Sequence, residues 1–240
     1  MRAIILVAGR GSRLPKKLSK IPKSLIKINN KTLLERQIKI FSSFNIKNIS
    51  IVTGYKKNLF NNFKLKKFHN QNWKTTNMVH SLKKAKTWLK NYDCIVTYGD
   101  IIYTSKAIRN LMHSKSKISV LFDKNWKSLW KKRFKNPLSD AETFMYDNKK
   151  NLQEIGLKTK NYKNIQGQFM GIIKFKPSGW KKFDKNLQKY FKKNHKIFTT
   201  DVLNSLIKNE KFKIKAINYD DKWSEIDNKN DIKTTHKIFK

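Results

Sequence analysis

Near the start of this 240-residue chain, Leu6-Val7-Ala8 runs into Gly9-Arg10-Gly11-Ser12-Arg13-Leu14, and Pro22-Lys23 follows after a short loop. A strand opening onto a glycine-rich turn directs several backbone N–H groups at one point. They can cradle phosphate oxygens there, because glycine admits positive φ and close approach. Arg13 adds a charge-assisted fork, and Lys23 a movable ammonium suited to charge shifting on a phosphate. The turn is not the dinucleotide fingerprint, since position 14 is Leu, and no Gly-Lys-[Ser/Thr] makes it a P-loop. By itself, Gly-x-Gly also reads as a plain structural turn.

Acidic and amide side chains add to this loop. Asp100 follows a strand-like run and Gly99, while Asp227 closes the run Trp223-Ser224-Glu225-Ile226-Asp227. Each also reads as a helix N-cap. Two carboxylates brought together by a fold would hold one Mg²⁺, which takes few protein oxygens beside substrate phosphates. Alternation puts Glu225 on the same face as Asp227. Asn77 and Ser81 can both donate and accept hydrogen bonds, as reading the polar edge of a ligand requires; they equally suit a helix cap. His80 between them reads as packed or solvated. Asp140 and Glu142 offer negative charge to an ammonium group. Trp126, Trp130, Trp180 and Trp223 offer an aromatic wall for a cation, against the commoner role of tryptophan as core.

These groups need elements to position them. Met1–Ala8 is a short apolar run leading straight into the glycine turn, which reads as a buried strand rather than a signal peptide. Further strands are expected at Asn48–Thr53, Cys94–Tyr98, Ile118–Asp123, Thr143–Tyr146, Leu152–Ile155, Gly171–Phe175 and Phe212–Tyr219. Helices are expected at Thr32–Phe44, Ser81–Leu89, Ser105–His113, Trp180–Phe191 and Asp201–Lys208, with another after Asp227. This alternation predicts a single α/β domain over residues 1–240: a Rossmann-like, mostly parallel sheet flanked by helices, with a small antiparallel addition near 143–175.

Composition narrows the function classes. With 55 Lys+Arg against 16 Asp+Glu the net charge is +39, yet hydrophobic residues at 38% are too many for a disordered chain. Arg occurs only at positions 2, 10, 13, 36, 109 and 133, and the lysines are spread throughout. A specific nucleic-acid reader leans on arginine and gathers its charge in one face. Dispersed lysine gives solubility and a general attraction for small anions. No apolar run is long enough to span a membrane, and a single cysteine, Cys94, excludes an internal disulfide or a cysteine zinc site.

In combination, these motifs resemble the nucleotidyltransferase superfamily of sugar-nucleotide pyrophosphorylases and choline-phosphate cytidylyltransferases. That family opens with a strand, then G-x-G-[ST]-R-[LM], about seven residues, and P-K. Similarity returns at Gly54-Tyr55, across Asn72–Leu82, at Tyr98-Gly99-Asp100 and at Trp223–Asp227, so it runs nearly end to end. The Thr76–Leu82 block resembles the choline-phosphate and 2-aminoethylphosphonate cytidylyltransferases more than the uridylyl and thymidylyl enzymes. The chain departs from the pattern at Lys16, Lys17 and Lys20, where relatives mix in acidic residues, and at Asn29-Asn30-Lys31, where they carry a Gly-Lys turn.

The resemblance implies nucleotide contacts at Leu6, Ala8, Gly9, Gly11, Ser12, Arg13, Lys23, Tyr55, Asn77, Ser81 and Gly99. It implies catalysis by Lys23, Arg13 and Asp100, and Mg²⁺ on Asp100 and Asp227. Acceptor contacts fall at Asp140, Glu142, Gln168, Asp201 and Trp223. The expected activity is Mg²⁺-dependent transfer of CMP from CTP to a small phosphate monoester or phosphonate, of phosphocholine or 2-aminoethylphosphonate type, in the cytoplasm. The alternatives are a sugar-1-phosphate uridylyl- or thymidylyltransferase, a silent regulatory homologue that binds CTP, and a basic nucleic-acid-binding module. No specific nucleic acid and no membrane insertion are expected. The acceptor and a homodimeric state stay open.

Overall fold

The apolar run at the start of the chain becomes an interior strand of a seven-stranded sheet. The computed structural model describes residues 1–15, 19–192, 194 and 196–240. Strand β1 (Arg2–Leu6) leads to a hairpin, β2 (Lys27–Ile28) and β3 (Lys31–Thr32), then to α1 (Leu33–Ser43), β4 (Ile49–Thr53) and β5 (Lys66–His69). Next come α2 (Met78–Lys84), α3 (Lys86–Asn91), β6 (Cys94–Tyr98), β7 (Ile101–Tyr103), α4 (Lys106–Met112), β8 (Ile118–Asp123) and α5 (Trp126–Arg133). The antiparallel pair β9 (Glu142–Tyr146) and β10 (Leu152–Lys158) precedes β11 (Gln168–Phe175), α6 (Pro177–Phe191) and α7 (Thr199–Glu210). The chain closes with β12 (Lys215–Tyr219), β13 (Trp223–Glu225) and α8 (Lys229–Ile238).

The sheet order is β12-β8-β11-β6-β1-β4-β5, and every neighbouring pair is parallel except the two made by β11. Both faces are covered, as a parallel sheet requires. Successive β1 residues serve opposite cores: Ile4 and Leu6 pack with α2, α3, α6 and α7, while Ala3 and Ile5 pack with α1, α4 and α5. Ile4 and Ile5 are fully buried, each contributing roughly 1.5–3 kcal/mol on the usual area scale. From β1 the chain builds outward to β4 and β5, then returns to lay β6 on the opposite side of β1. Ligands of open α/β sheets collect at the strand carboxyl ends where the order reverses in this way. Here that point lies between the ends of β1 and β6.

Most expected elements occur, with several differences. The helix expected at Ser81–Leu89 starts earlier, at Met78, and breaks at Ala85, whose backbone (φ −90°, ψ 16°) ends α2 before α3 begins. Strand β5 escapes a hydrophobic reading because Lys66 and Lys67 lie on an exposed sheet edge. Helix α5 escapes it because Lys127, Lys131 and Lys132 interrupt its apolar positions. Asn29 and Asn30 both take left-handed φ, 47° and 63°, in the β2–β3 turn; asparagine tolerates this better than most residues, so it stands in for glycine. Lys16 and Lys17 lie outside the described residues. Among the described residues no helix is long and apolar enough to cross a membrane.

Candidate active site

Two glycines bring the glycine-rich turn after β1 and the end of β6 together. The Gly99 N–H donates to the Leu6 carbonyl at 2.9 Å. A Cβ at position 99 would lie 2.7 Å from that same oxygen, so a larger residue would push the two strand ends apart. Gly11 adopts φ +71°, and its Cβ would meet Lys23 Cγ at 2.7 Å. Lys23 therefore passes directly beneath the turn. Above these strand ends lies a cavity of about 400 Å³ lined by Leu6, Ala8, Gly9, Gly11, Ser12, Arg13, Lys23, Asn77, Ser81, Gly99 and Asp100.

Of the residues expected at the nucleotide, Tyr55 alone stands outside this cavity. Its ring packs on Trp73 at 5.2 Å and its hydroxyl donates to the Ser19 carbonyl at 3.1 Å. Trp73 is the lining residue and Tyr55 its support. Asn77 stands at the N-terminus of α2, but its amide donates to the Lys196 carbonyl at 2.5 Å instead of capping the helix. Ser81 Oγ accepts from the buried Asn70 amide at 3.0 Å. His80 lines neither this cavity nor the chamber described below.

The distant aspartates meet through the pairing of β7 with β13. Glu225 pairs with Ile101, and the Ile226 N–H donates to the Asp100 carbonyl at 2.9 Å. This register gathers carboxylate oxygens of Asp100, Glu225 and Asp227 within 4.8 Å of one another. Lys23 Nζ lies 3.1 Å from Asp100 Oδ2 and also donates to Asp227 Oδ1, which Arg13 Nη2 reaches at 2.8 Å. Neither aspartate caps a helix. Helix α4 starts after Ser105, and α8 is capped by Asn228 in a reciprocal box with Asp231. Asp231 Oδ2 also accepts the Asp227 N–H at 2.9 Å, which leaves the Asp227 carboxylate facing the cleft.

One member of this site is invisible in the sequence. Arg133 reads as another surface cation after Lys131-Lys132, yet its side chain is fully buried. Its Nε donates to Asp231 Oδ1 at 2.9 Å, and its Nη groups approach Glu225 at 3.3 Å and Asp227 at 3.5 Å. Burial opposes the Lys23 charge, but Asp100 and Asp227 outweigh it and hold the ammonium well above the usual lysine range. Burial likewise works against the Asp227 carboxylate, and Lys23, Arg13 and Arg133 overcome it, keeping this group below its usual range. Glu225 goes the other way, raised by burial and by the two neighbouring aspartates. Three carboxylates around one point, held in check by surrounding cations, form a hard-oxygen donor set of the kind that suits a divalent ion such as Mg²⁺.

A second chamber, of about 360 Å³, adjoins the first and shares Arg13, Met78, Tyr98 and Phe198 with it. Asp140, Glu142, Gln168, Trp130 and Trp223 line it. The tryptophans are held by carboxylates: Trp223 Nε1 donates to Asp123 at 2.8 Å, and Trp130 Nε1 to Asp140 at 3.2 Å. Gln168 is not a free polar contact. Its amide donates to the Glu142 carbonyl at 2.5 Å and accepts the Glu142 N–H at 3.3 Å, clamping β11 to the start of β9. Burial raises Asp140. Glu142 keeps an exposed side chain, yet loss of solvent inside the concave wall, with Asp140 and Asp201 nearby, pushes it up to about 7.

Three expected members of this chamber belong elsewhere. Asp201 lines neither cavity; it is the third residue of α7, and its Oδ2 accepts the Phe198 N–H at 2.8 Å, closing the first turn of that helix. Trp126 stacks edge-on behind Trp130 at 5.9 Å. Trp180 lies in the opposite core, between Phe175 and Phe183.

Residues 3–138 match the family described as MobA-like NTP transferase domain. The chain is 33% identical, over 97% of its length and 98% of the relative's, to a CTP:phosphoglutamine cytidylyltransferase of Campylobacter jejuni. The CTP:phosphocholine cytidylyltransferase of Streptococcus pneumoniae has a similar structure, with a TM-score of 0.75 at 20% identity over 100% of this chain and 99% of that one. The inositol-1-phosphate CTP transferase of T. maritima gives 0.76 at 15% identity, over 98% and 96%. At these identities the two structures establish a shared fold.

Proposed function

The chain belongs to the MobA-like NTP transferase family, and from that premise we propose that it transfers CMP from CTP to a small phosphate-bearing acceptor that also carries a cationic nitrogen, releasing pyrophosphate. The observation that carries this reading is the position of Lys23. Its ammonium sits under the glycine turn, between Asp100 and Asp227, and Asp227 lines the second chamber while Asp100 lines the first.

The acceptor's phosphate or phosphonate oxygen is ionised near neutral pH, so attack on the α-phosphorus in line with the leaving pyrophosphate needs no general base. Positioning and charge neutralisation then do the catalytic work. The N–H groups of the glycine turn and the Arg13 guanidinium hold the leaving pyrophosphate. Lys23, kept charged by its carboxylate partners, bridges the α-phosphate and the acceptor anion. Asp100 and Asp227 would hold Mg²⁺, with Glu225 beside them, and the bound ion would supply further neutralisation of phosphate charge. Asn77 and Ser81 would read the cytosine edge.

In the second chamber, Asp140 and Glu142 beside Trp130 and Trp223 suit a cationic nitrogen. Phosphoglutamine, phosphocholine and 2-aminoethylphosphonate all combine such a group with a phosphorus oxyanion. A cytoplasmic setting, where CTP is made, belongs to the same reading.

Pyrophosphate release from each of the four NTPs, with Mg²⁺ and these three acceptors beside glucose-1-phosphate, tests it. Release is expected with CTP and with an acceptor bearing a cationic nitrogen. Turnover confined to UTP or dTTP with the sugar phosphate would overturn the assignment. CTP binding without any release would mark a silent homologue.

A further inference from the structure

Helix α1 presents Leu33, Leu34 and Phe41 to the core, and Gln37 stands on the same buried face with only 1% of its surface accessible. An amide in a core needs partners for its donors and its acceptor. Those of Gln37 all lie around one two-residue turn. Its Nε2 donates to the Tyr98 carbonyl at 2.9 Å and to the Ile101 carbonyl at 2.8 Å. Its Oε1 accepts from the Thr97 hydroxyl at 2.6 Å. Between Tyr98 and Ile101 lie Gly99 and Asp100.

We propose that Gln37 is the positioning residue for Asp100. It spans the ends of β6 and β7 and thereby sets where the Asp100 carboxylate stands relative to Asp227. The two carbonyls it holds fix which end of the amide is the donor, and the Thr97 hydroxyl holds the other end. Ile101 also pairs with Glu225, so one side chain ties down the turn carrying Asp100 and the strand facing Glu225. Gln37 touches neither cavity and takes no part in the chemistry itself. The proposal rests on the reading of Asp100 and Asp227 as carboxylates for a divalent ion.

Partners that orient metal-binding groups are typically worth 10- to 100-fold in metal affinity when removed. Gln37→Met keeps the length of the side chain and removes both donors and the acceptor. Mn²⁺ binding is measured by electron paramagnetic resonance in the presence of a non-hydrolysable CTP analogue, and analogue binding is measured separately without metal. Gln37→Met is expected to weaken Mn²⁺ at least about tenfold while metal-free analogue binding stays within about twofold of wild type. The gentler Thr97→Val removes only the hydroxyl that steadies the amide and is expected to weaken Mn²⁺ severalfold; it decides the matter if Gln37→Met does not fold. Unchanged Mn²⁺ affinity in a folded variant, beside a wild type that binds the ion, overturns the role of Gln37 alone. A wild type that binds no Mn²⁺ overturns the reading of the acidic cluster, and this proposal with it.

Discussion

Asp100 and Asp227 share a single ammonium: Lys23 Nζ lies 3.1 Å from Asp100 Oδ2 and donates to Asp227 Oδ1 as well. Nothing local in the sequence joins these two aspartates. The antiparallel step of β13 against β7 does so, and it places them under a turn whose Gly11 leaves room for Lys23. A triphosphate entering the cavity would meet an ammonium already desolvated and pre-aimed.

Lys23→Ala and Asp100→Asn are each expected to lower kcat at least about 10²-fold, the scale of removing one preorganised charge stabiliser. Steady-state pyrophosphate release with saturating CTP and acceptor measures this. Near-normal turnover in either folded variant would contradict the roles given to these two side chains.

Acceptor affinity is expected to depend on pH through Glu142, which faces Asp140, Asp201 and Lys158 and is pushed up to about 7. Above that pH it is ionised and attracts a cationic nitrogen. As pH falls through about 7 it takes up a proton, the chamber loses negative charge, and the acceptor KM rises. The acceptor's own phosphate also titrates, so the comparison is with Glu142→Gln, whose KM should vary less over pH 6 to 8. Identical pH profiles for the two proteins would remove Glu142 from acceptor binding.

Base choice should be sharp. A site that must pair its buried polar groups rejects a base with the wrong donor pattern strongly, so kcat/KM for CTP is expected to exceed that for UTP at least about 10²-fold. Asn77→Ala and Ser81→Ala should each narrow the ratio. A ratio unmoved by both would place cytosine recognition elsewhere.

Asp231→Ala is expected to destabilise the fold by about 3–5 kcal/mol, because it leaves the buried Arg133 guanidinium without its nearest carboxylate. The same change removes the α8 capping box. Urea unfolding reads the loss; a change below about 1 kcal/mol would mean that Glu225 and Asp227 suffice for Arg133.

The sequence made the glycine turn, the principal parallel strands and the Gly99-Asp100 strand end legible, because their signals are local: an apolar run, a glycine, then a charged residue; Asp227 stood out only through the family resemblance. It could not separate a cap from a ligand. Asp227 and Asp201 both precede or begin helical segments, yet Asn228 and Asp231 relieve the first of capping while the second performs it. It could not place Trp180, since an aromatic residue on an amphipathic helix fits a core as well as a binding wall. Arg133 hid among lysines because local sequence carries no sign that a cation is buried; only β13 and α8, folding over it, supply its partners. Gln37 did leave a trace, a polar residue on the apolar face of α1.

In the proposed reaction the amino-terminal turn, Lys23 and the Asp100–Asp227 pair act on one nucleotide and its metal. A crystal structure with a non-hydrolysable CTP analogue and Mg²⁺ tests it most directly. The triphosphate is expected on the N–H groups of residues 9–13, with the ion coordinated by Asp100 and Asp227. A triphosphate bound away from that turn, or an ion with neither aspartate in its coordination sphere, would contradict it.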